Sequence, residues 1–255
     1  MALSQADLKR YRALQQKKFR SESMRFIVQG RKVVAELLAS GFQTEILLTT
    51  QEALASVKPF ADERKIPVEV LPSHELDKIG TFEKGNELIA VVVEPAPVPF
   101  RLPAKDELML ALDGVRDPRN MGGLLRIADW YGIKRVICSH DCMEIYNPKA
   151  VQSTMGSLFH VELRRANLLT ELTQYANAGV NVYIADMDGM SIYEAELTRP
   201  AVLVLGSESH GHSHAVESMK AKVVSIPRMG QAESLNVAMA AAALCTEFAR
   251  QATIK

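Results

Sequence analysis

A short stretch after a predicted strand combines residue types that can bind an anion. Asn120 stands where the N-cap of the next helix is expected, and Arg126 follows Gly122 by four residues, which places both on one helical face. Gly122 has no side chain and leaves space beside the Arg126 guanidinium. A guanidinium near a helix start favours a phosphate, because it pairs with phosphate oxygens while the helix N–H groups attract negative charge. The alternative is an ordinary salt bridge to a neighbour such as Asp129.

A second loop, rich in glycine and histidine, follows the predicted strand 201–207. Gly206 and Gly211 flank Glu208, and glycines allow a backbone to approach a flat ligand closely. Three alternating histidines raise the question of zinc: His210, His212 and His214. Zinc would require an extended backbone that turns all three to one side, and the glycines indicate a loop instead. We therefore expect no metal site.

The third loop connects a predicted strand end at Ile226-Pro227 to a long, alanine-rich helix. Ser234 is the predicted N-cap of that helix, and Asn236 lies near its start. No strand is followed by G-x-G-x-x-G, and the chain contains no G-x-x-x-x-G-K-[ST]. The sequence therefore predicts neither a dinucleotide-binding fingerprint nor a P-loop.

Apolar runs rich in valine, isoleucine and leucine occur at 107–115, 134–139, 181–187, 201–207 and 222–227. Such continuous runs predict strands that are covered by helices on both faces, which is typical of a parallel sheet. Ligands of open parallel sheets bind at the carboxyl ends of the strands. The three loops are therefore expected at one edge of one sheet.

The first part of the chain alternates short helices and strands, with helices at 4–20 and 31–41, and predicts a small α/β domain. A stretch with four prolines follows: Pro95, Pro97, Pro99 and Pro103. Because proline disfavours both helix and central strand, this stretch predicts an extended linker. We thus expect an N-terminal domain at 1–94, a linker at 95–106 and a second domain at 107–255.

Composition limits the class of protein further. The chain has 255 residues, of which 47% are hydrophobic. No apolar run approaches the roughly 18–20 residues of a membrane span, and the polar start does not resemble a secretory signal. Three irregularly spaced cysteines, Cys138, Cys142 and Cys245, argue against a disulfide framework and indicate a reducing, cytoplasmic environment. Buried structural thiols are the favoured interpretation of the first two, with a metal site as the alternative.

The formal net charge is zero, but basic residues concentrate at the start of the chain. Residues 1–32 contain nine lysines and arginines against two acidic residues. A basic face favours contacts with nucleic-acid phosphates, and a solvated helix surface is the alternative. The arginines that we predict as RNA contacts are Arg20, Arg25, Arg31, Arg116 and Arg126.

Together, the three loops resemble, in order and spacing, the three motifs of the SpoU (TrmH-like) RNA ribose 2′-O-methyltransferases of the SPOUT superfamily. The matching residues are Asn120, Gly122 and Arg126 for the first motif; Gly206, Glu208 and Gly211 for the second; and Ile226, Pro227 and Gly230, then Ser234-Leu235-Asn236-Val237, for the third. The stretch 147–163 also resembles a segment that this family often carries. Residues 5–94 resemble the family's N-terminal substrate-binding domain, which has a ribosomal-protein-like α/β fold.

The resemblance implies a C-terminal α/β domain with a deep trefoil knot, a rare exception among folds, and a homodimer. It also implies S-adenosylmethionine bound in a bent form within the knot and held largely by main-chain groups. The positions that carry this implication are Gly206, Ile226 and Leu235, with Leu205, Gly211 and Met229 as further candidates.

The resemblance also makes Arg126 central to catalysis. A guanidinium stays protonated at neutral pH, so we expect it to orient the ribose-phosphate and to stabilise the developing alkoxide rather than to act as a free base. Asn120 belongs to the same site, and Glu208 and Asn236 are candidates for a base or a hydrogen-bonding orienter. One departure from the family is Ala238, where many relatives carry a serine.

The leading hypothesis is a ribose 2′-O-methyltransferase acting on structured RNA, with ribosomal RNA favoured over transfer RNA. One alternative is a non-catalytic RNA-binding protein of the same fold, which the presence of Asn120, Arg126, Glu208 and Asn236 disfavours. The other is a base methyltransferase of the same superfamily. The arginine of the first motif and the S-L-N-V form of the third favour the ribose.

Overall fold

The computed structural model describes residues 3–82, 86–207 and 211–253, which divide into two units. We call Met1–Ala96 with Glu144–His160 the N-terminal unit, and Pro97–Met143 with Val161–Lys255 the C-terminal unit. Residues 144–160 therefore pack with the N-terminal unit, although the sequence places them between two strands of the second. The predicted domain at 107–255 does not account for this segment, and the domain limits stay a prediction.

The N-terminal unit is built on a four-stranded sheet. In spatial order its strands are β1 (Arg25–Gln29), β4 (Leu88–Val93), β2 (Thr44–Thr49) and β3 (Val68–Val70). β4 runs antiparallel to both β1 and β2, whereas β3 is parallel to β2. The helices are α1 (Gln5–Ala13), α2 (Lys17–Ser23), α3 (Arg31–Ala39), α4 (Leu54–Arg64) and α5 (Ser73–Ile79).

The helix predicted over 4–20 is divided in two. α1 ends at Ala13 and α2 begins at Lys17. Between them, the carbonyl of Leu14 accepts a hydrogen bond of 2.7 Å from Nη1 of Arg20. The predicted helix is therefore interrupted near Leu14, whose carbonyl binds the buried Arg20 guanidinium. Helical periodicity in the sequence does not predict this break.

Arg20 forms a buried ion pair in the N-terminal unit. Its side chain is 2% exposed, and Nε and Nη2 donate to the two carboxylate oxygens of Glu144 at 2.7 and 2.5 Å. A guanidinium held in this way has no free face for a phosphate. Burial and a bidentate pair commit the side chain to the fold, which argues against the prediction that Arg20 contacts RNA.

Aromatic contacts hold residues 144–160 in the N-terminal unit. Tyr146 stacks on Phe26 with ring centroids 4.5 Å apart, and Phe159 meets Phe42 edge to face at 5.2 Å. Aromatic rings bury large apolar areas, which explains why this segment joins the N-terminal core. The elements of the segment are α7 (Pro148–Ser153) and a 3-10 turn (Ser157–Phe159).

The other two arginines near the start of the chain that are predicted to contact RNA also have acidic partners. Arg25 donates to Glu45, and the guanidinium of Arg31 lies 2.6 Å from the Glu87 carboxylate. Both acids lie outside residues 1–32, so folding partly neutralises the local excess of positive charge. If Arg25 or Arg31 contacts RNA, a phosphate competes with the carboxylate that the arginine binds in this structure.

The C-terminal unit is built on a six-stranded parallel sheet. In spatial order its strands are β10 (Lys222–Ser225), β8 (Asn181–Ser191), β9 (Ala201–Leu205), β5 (Leu108–Leu112), β6 (Arg135–Cys138) and β7 (Glu162–Arg165). Five of these strands match the predicted apolar runs, and the prediction of a parallel sheet is confirmed. The helices are α6 (Pro118–Trp130), α8 (Leu168–Asn177), α9 (His214–Glu217) and α10 (Val237–Thr253).

The central strands of this sheet are covered on both faces. Every residue of β5 and β9 is buried. On one face, Leu168, Leu172 and Tyr175 of α8 belong to the apolar cluster of the sheet. Within the described part of the chain, no helix combines the length and the apolar character that a membrane crossing requires.

Candidate active site

Two of the three loops are joined directly where their strands end. β5 and β9 are neighbours, and Leu112 pairs with Leu205 at their carboxyl ends. The N–H of Asp113 donates to the carbonyl of Leu205 at 2.9 Å, and the buried Asp113 carboxylate accepts the N–H of Ser213 at 2.7 Å. Asp113 therefore fixes the first loop against the second at one edge of the sheet, where ligands of parallel sheets bind.

α6 begins earlier than predicted, and Asp117 rather than Asn120 is its N-cap. The Asp117 carboxylate accepts the N–H groups of Arg119 and Asn120 at 2.7 and 3.1 Å, and Pro118 follows the cap. Burial acts to raise the pKa of this carboxyl, but the two backbone hydrogen bonds and the Arg119 side chain together hold the pKa below its ordinary value. The Asp-Pro dipeptide is the signal that could have identified this cap, because proline is favoured at the first helical position.

Asn236, and not Ser234, is the residue that caps the start of α10. Its Oδ1 accepts the N–H groups of Ala238 and Met239 at 3.0 and 3.3 Å. Its Nδ2 donates to Oδ1 of Asn120 at 2.9 Å, across 116 positions of sequence. One amide thus caps a helix and links the third loop to the first, which brings two predicted site residues together.

Arg126 is an exposed side chain of α6. It makes no hydrogen bond or ion pair with any residue in 3–82, 86–207 or 211–253, so the alternative of a salt bridge to Asp129 is not formed. Arg116, in the loop before α6, is exposed as well. Both guanidinium groups are available to a phosphate. The predicted site residue Glu208 lies outside the described residues.

The second loop closes on itself at Gly206. Ser207 and Gly211 exchange two backbone hydrogen bonds of 2.8 and 3.0 Å. A Cβ at Gly206 would lie 2.7 Å from the carbonyl carbon and oxygen of Gly211, so the close approach requires glycine. Gly206 therefore presents main-chain groups, and no side chain, at this edge of the sheet.

The other residues predicted to hold the cofactor differ in exposure. Leu205 is buried at the end of β9, whereas Met229 is 91% exposed and Leu235 is 50% exposed. Ile226 is half-buried and follows the last residue of β10. Apolar side chains that stay exposed beside strand-end loops are suited to cover a ligand. These residues therefore fit a cofactor that main-chain groups at Gly206 and Ile226 would hold.

Small residues let α6 and α10 approach each other closely. A Cβ added at Gly123 would lie 3.2 Å from Cβ of Ala238. The side chain of Ala238 faces α6 at this point. A larger side chain at either position would separate the helices that carry Arg126 and Asn236. Sequence reasoning did not identify Gly123, because its role depends on a residue from a distant helix.

Among the histidines and cysteines that the sequence singles out, His212 and the three cysteines are buried in the fold, whereas the His214 side chain is exposed. His212 is buried, with Nε2 2.8 Å from the carbonyl oxygen of Ala185, while His210 lies outside the described residues. No group of three or more His, Cys, Asp or Glu side chains in the described ranges is arranged to hold a metal ion. All three cysteines are buried, and the thiol of Cys142 donates to the carbonyl of Leu112 at 3.1 Å.

Two sequence profiles match the chain. That of the SpoU rRNA Methylase family matches residues 107–246, and that of the MRM3-like substrate binding domain matches residues 5–90. A curated relative, the 23S rRNA (guanosine(2553)-2'-O)-methyltransferase RlmP of Bacillus subtilis, is 30% identical over 239 residues, which are 93% of this chain and 93% of that protein. The similarity thus spans both units.

Solved structures match the fold along nearly the whole chain. A TrmH-family structure from Porphyromonas gingivalis has a TM-score of 0.88 at 37% identity and covers 98% of this chain and 100% of that one. The SpoU methyltransferase AviRb of Streptomyces viridochromogenes, solved with the cofactor AdoMet, has a TM-score of 0.86 at 27% identity and covers 97% of this chain and 98% of that one. Because the family profile matches more than half of the sequence and these relatives match along its length, the chain belongs to the SpoU rRNA methylase family, as its three loops predict.

Proposed function

We propose that this protein transfers a methyl group from S-adenosylmethionine to a ribose 2′-hydroxyl of ribosomal RNA. The observation that carries the proposal is the 2.9 Å hydrogen bond between Asn236 and Asn120, which joins two motif loops at the start of the helix that presents Arg126. Two relatives support it, since the Bacillus subtilis protein is a 23S rRNA 2′-O-methyltransferase and AviRb was solved with AdoMet. Ribosomal RNA is therefore favoured over transfer RNA as the substrate.

Arg126 has the central role in the proposed mechanism. When bound, S-adenosylmethionine supplies an electrophilic methyl group. The guanidinium pairs with a substrate phosphate and, while it stays protonated, stabilises the negative charge that develops on the 2′-oxygen. Asn120 and Asn236 orient the substrate or each other's loop, and Glu208 is the candidate base. Most of the rate enhancement then arises from positioning of the hydroxyl.

The proposed cofactor site lies in a deep trefoil knot of the C-terminal unit. The backbones of β8 and β10 approach closely at Gly189, where a Cβ would lie 2.6 Å from the backbone nitrogen of Val224. The residues that would hold the cofactor are Gly206, Ile226 and Leu235 through their main chains, with Leu205, Gly211 and Met229 around them.

The proposed working form is a homodimer in the cytoplasm. Trp130 of α6 is 84% exposed and Met239 of α10 is 66% exposed. Large apolar side chains on a surface mark interaction sites, and a second copy that packs on the C-terminal unit would cover both. Three buried cysteines without disulfides support a reducing compartment.

The proposed function is tested with unmodified 23S ribosomal RNA and S-adenosylmethionine that carries a labelled methyl group. We expect label in the RNA and one phosphodiester that resists alkaline hydrolysis, because a 2′-O-methyl group prevents attack by the 2′-oxygen. Label without a resistant position would indicate base methylation, and RNA binding without label would indicate a non-catalytic binder. Either result contradicts the proposal, and transfer RNA serves as the control for substrate class.

The two roles of Asn236 can be separated by substitution. Asn236→Ala removes the cap and is expected to lower the free energy of unfolding by about 1 kcal/mol and to reduce methyl transfer. Asn236→Asp still caps α10 but cannot donate to Asn120, so we expect stability within about 0.5 kcal/mol of wild type and reduced kcat. Denaturant unfolding and single-turnover kinetics measure the two quantities. Full activity in Asn236→Asp would show that donation from Asn236 to Asn120 is dispensable, because the Asn120 amide can rotate and donate to the new carboxylate.

A further inference from the structure

The N-terminal unit carries an open groove of about 570 Å³. We call it the Phe82 groove, and the lining residues that bear on its role are Gln15, Lys78, Thr81, Phe82, Asn147 and Lys149. Part of the lining comes from α5 and the residues after it, and part from the start of α7. The segment 144–160 therefore helps to form a surface of the N-terminal unit, although in sequence it lies between two methyltransferase motifs.

Hydrogen bonds fix one side of the groove. Nε2 of Gln15 donates to the carbonyls of Ile79 and Gly80 at 2.9 and 2.7 Å. The N–H of Thr81 donates to Oε1 of the buried Gln29 at 2.9 Å. A surface that is already ordered loses less conformational freedom when a ligand binds.

The Phe82 groove offers donors that the described residues leave free. The Lys149 side chain is exposed and forms no ion pair within residues 3–82, 86–207 and 211–253. Asn147 uses Oδ1 to accept the N–H of Lys149 at 2.9 Å, which leaves its Nδ2 as a donor. The carboxylate in the lining, Asp77, already accepts a hydrogen bond of 2.8 Å from Asn86. These groups favour a ligand that only accepts hydrogen bonds, such as a phosphate.

The Phe82 ring adds a stacking surface. The Phe82 side chain is 36% exposed, and its backbone carbonyl accepts a hydrogen bond of 3.0 Å from Nδ2 of Asn86. An exposed ring with a free ammonium in the same groove suits an unpaired nucleotide, whose base stacks while its phosphate is neutralised. An acidic peptide would pair with the Lys149 ammonium, but its carboxylates would not stack on the Phe82 ring.

We propose that the Phe82 groove binds an unpaired nucleotide of the RNA substrate, with Lys149 on a phosphate and Phe82 against a base. The inference rests on the proposed function, because it takes RNA as the ligand. Lys149 is the cation to test, since Lys78 is already paired with Glu75 at 2.6 Å. The groove then selects substrate, while methyl transfer occurs at the motif loops of the C-terminal unit.

The probe is unmodified 23S ribosomal RNA, and the full-length variants are Lys149→Ala and Phe82→Ala. Lys134→Ala is the matched control, because Lys134 is an exposed lysine at the amino end of β6, away from the motif loops at the carboxyl edge. We expect each groove variant to raise the Kd for RNA about 5-fold or more. Lys149→Ala should also reduce the slope of log Kd against log salt by about one. The KM for RNA rises with the Kd, whereas kcat and the affinity for S-adenosylmethionine stay at the wild-type values.

The outcomes separate the groove from the proposed function. If wild type methylates the RNA and both groove variants bind like Lys134→Ala, the groove inference fails and the proposed function stands. If Lys149→Ala weakens binding but Phe82→Ala does not, no base is stacked and the nucleotide site is overturned. A wild-type protein that binds no RNA overturns both. Phe82→Trp keeps an aromatic ring and should retain affinity, which distinguishes loss of stacking from loss of fold.

Discussion

Replacing Arg126 with alanine is expected to lower kcat for methyl transfer by about 100- to 1,000-fold. The loss arises because a positioned cation no longer stabilises the charge that develops on the 2′-oxygen. The side chain is exposed and has no partner among the described residues, so its removal leaves the fold intact. Affinity for S-adenosylmethionine should therefore stay at the wild-type value. Single-turnover methyl transfer and calorimetric titration of the cofactor measure the two effects.

Two further variants define what Arg126 does. Arg126→Lys keeps the charge but loses the planar fork that binds two phosphate oxygens, so we expect only partial activity. Arg101→Ala removes another exposed arginine of the C-terminal unit, one that pairs with Glu162, and should leave kcat unchanged. Equal loss of cofactor binding and methyl transfer in Arg126→Ala would show that the arginine holds the cofactor and not the reacting oxygen.

Arg20→Ala is expected to lower the free energy of unfolding of the N-terminal unit by about 3–5 kcal/mol. The change leaves the Glu144 carboxylate, which is only 18% exposed, without its cation and removes the hydrogen bond to Leu14. A whole domain is stable by only about 5–15 kcal/mol, so this unit would unfold readily. Because two units need not unfold together, hydrogen exchange in the N-terminal unit is the measurement of choice.

Matched variants distinguish this structural role from an RNA contact. Arg31→Ala removes an arginine whose partner Glu87 lies on the surface, with side chains 56% and 50% exposed, and is expected to cost less than about 1 kcal/mol. Arg20→Met combined with Glu144→Leu removes both charges and should recover most of the stability. Normal stability together with weakened RNA binding in Arg20→Ala would contradict the structural role and support Arg20 as an RNA contact.

The elements and their order could be predicted from the sequence because their signals are local. Side chains buried on both faces of a strand leave a continuous apolar run, and five strands of the C-terminal sheet carry one. α3 shows the helical spacing of Val33, Val34, Leu37 and Leu38, all of which are buried. β7, with the sequence E-L-R-R at the edge of the sheet, lacks such a run, so the sequence does not predict it. The three motif loops were found for the same reason, since each motif lies within a short stretch of chain.

The burial of Arg20 and the link between Asn236 and Asn120 could not be predicted in this way, because the partner residues lie far along the sequence. By itself, the sequence determined the α/β class, the parallel sheet and the three loops of the candidate site. Only the tertiary structure decided which polar residues serve the fold and which remain for a ligand. Arg20 meets its glutamate across 124 positions, and Asn236 meets Asn120 across 116. Arg20 and Arg126 both look like phosphate ligands in the sequence, yet the path of the chain buries the first against a carboxylate and leaves the second exposed.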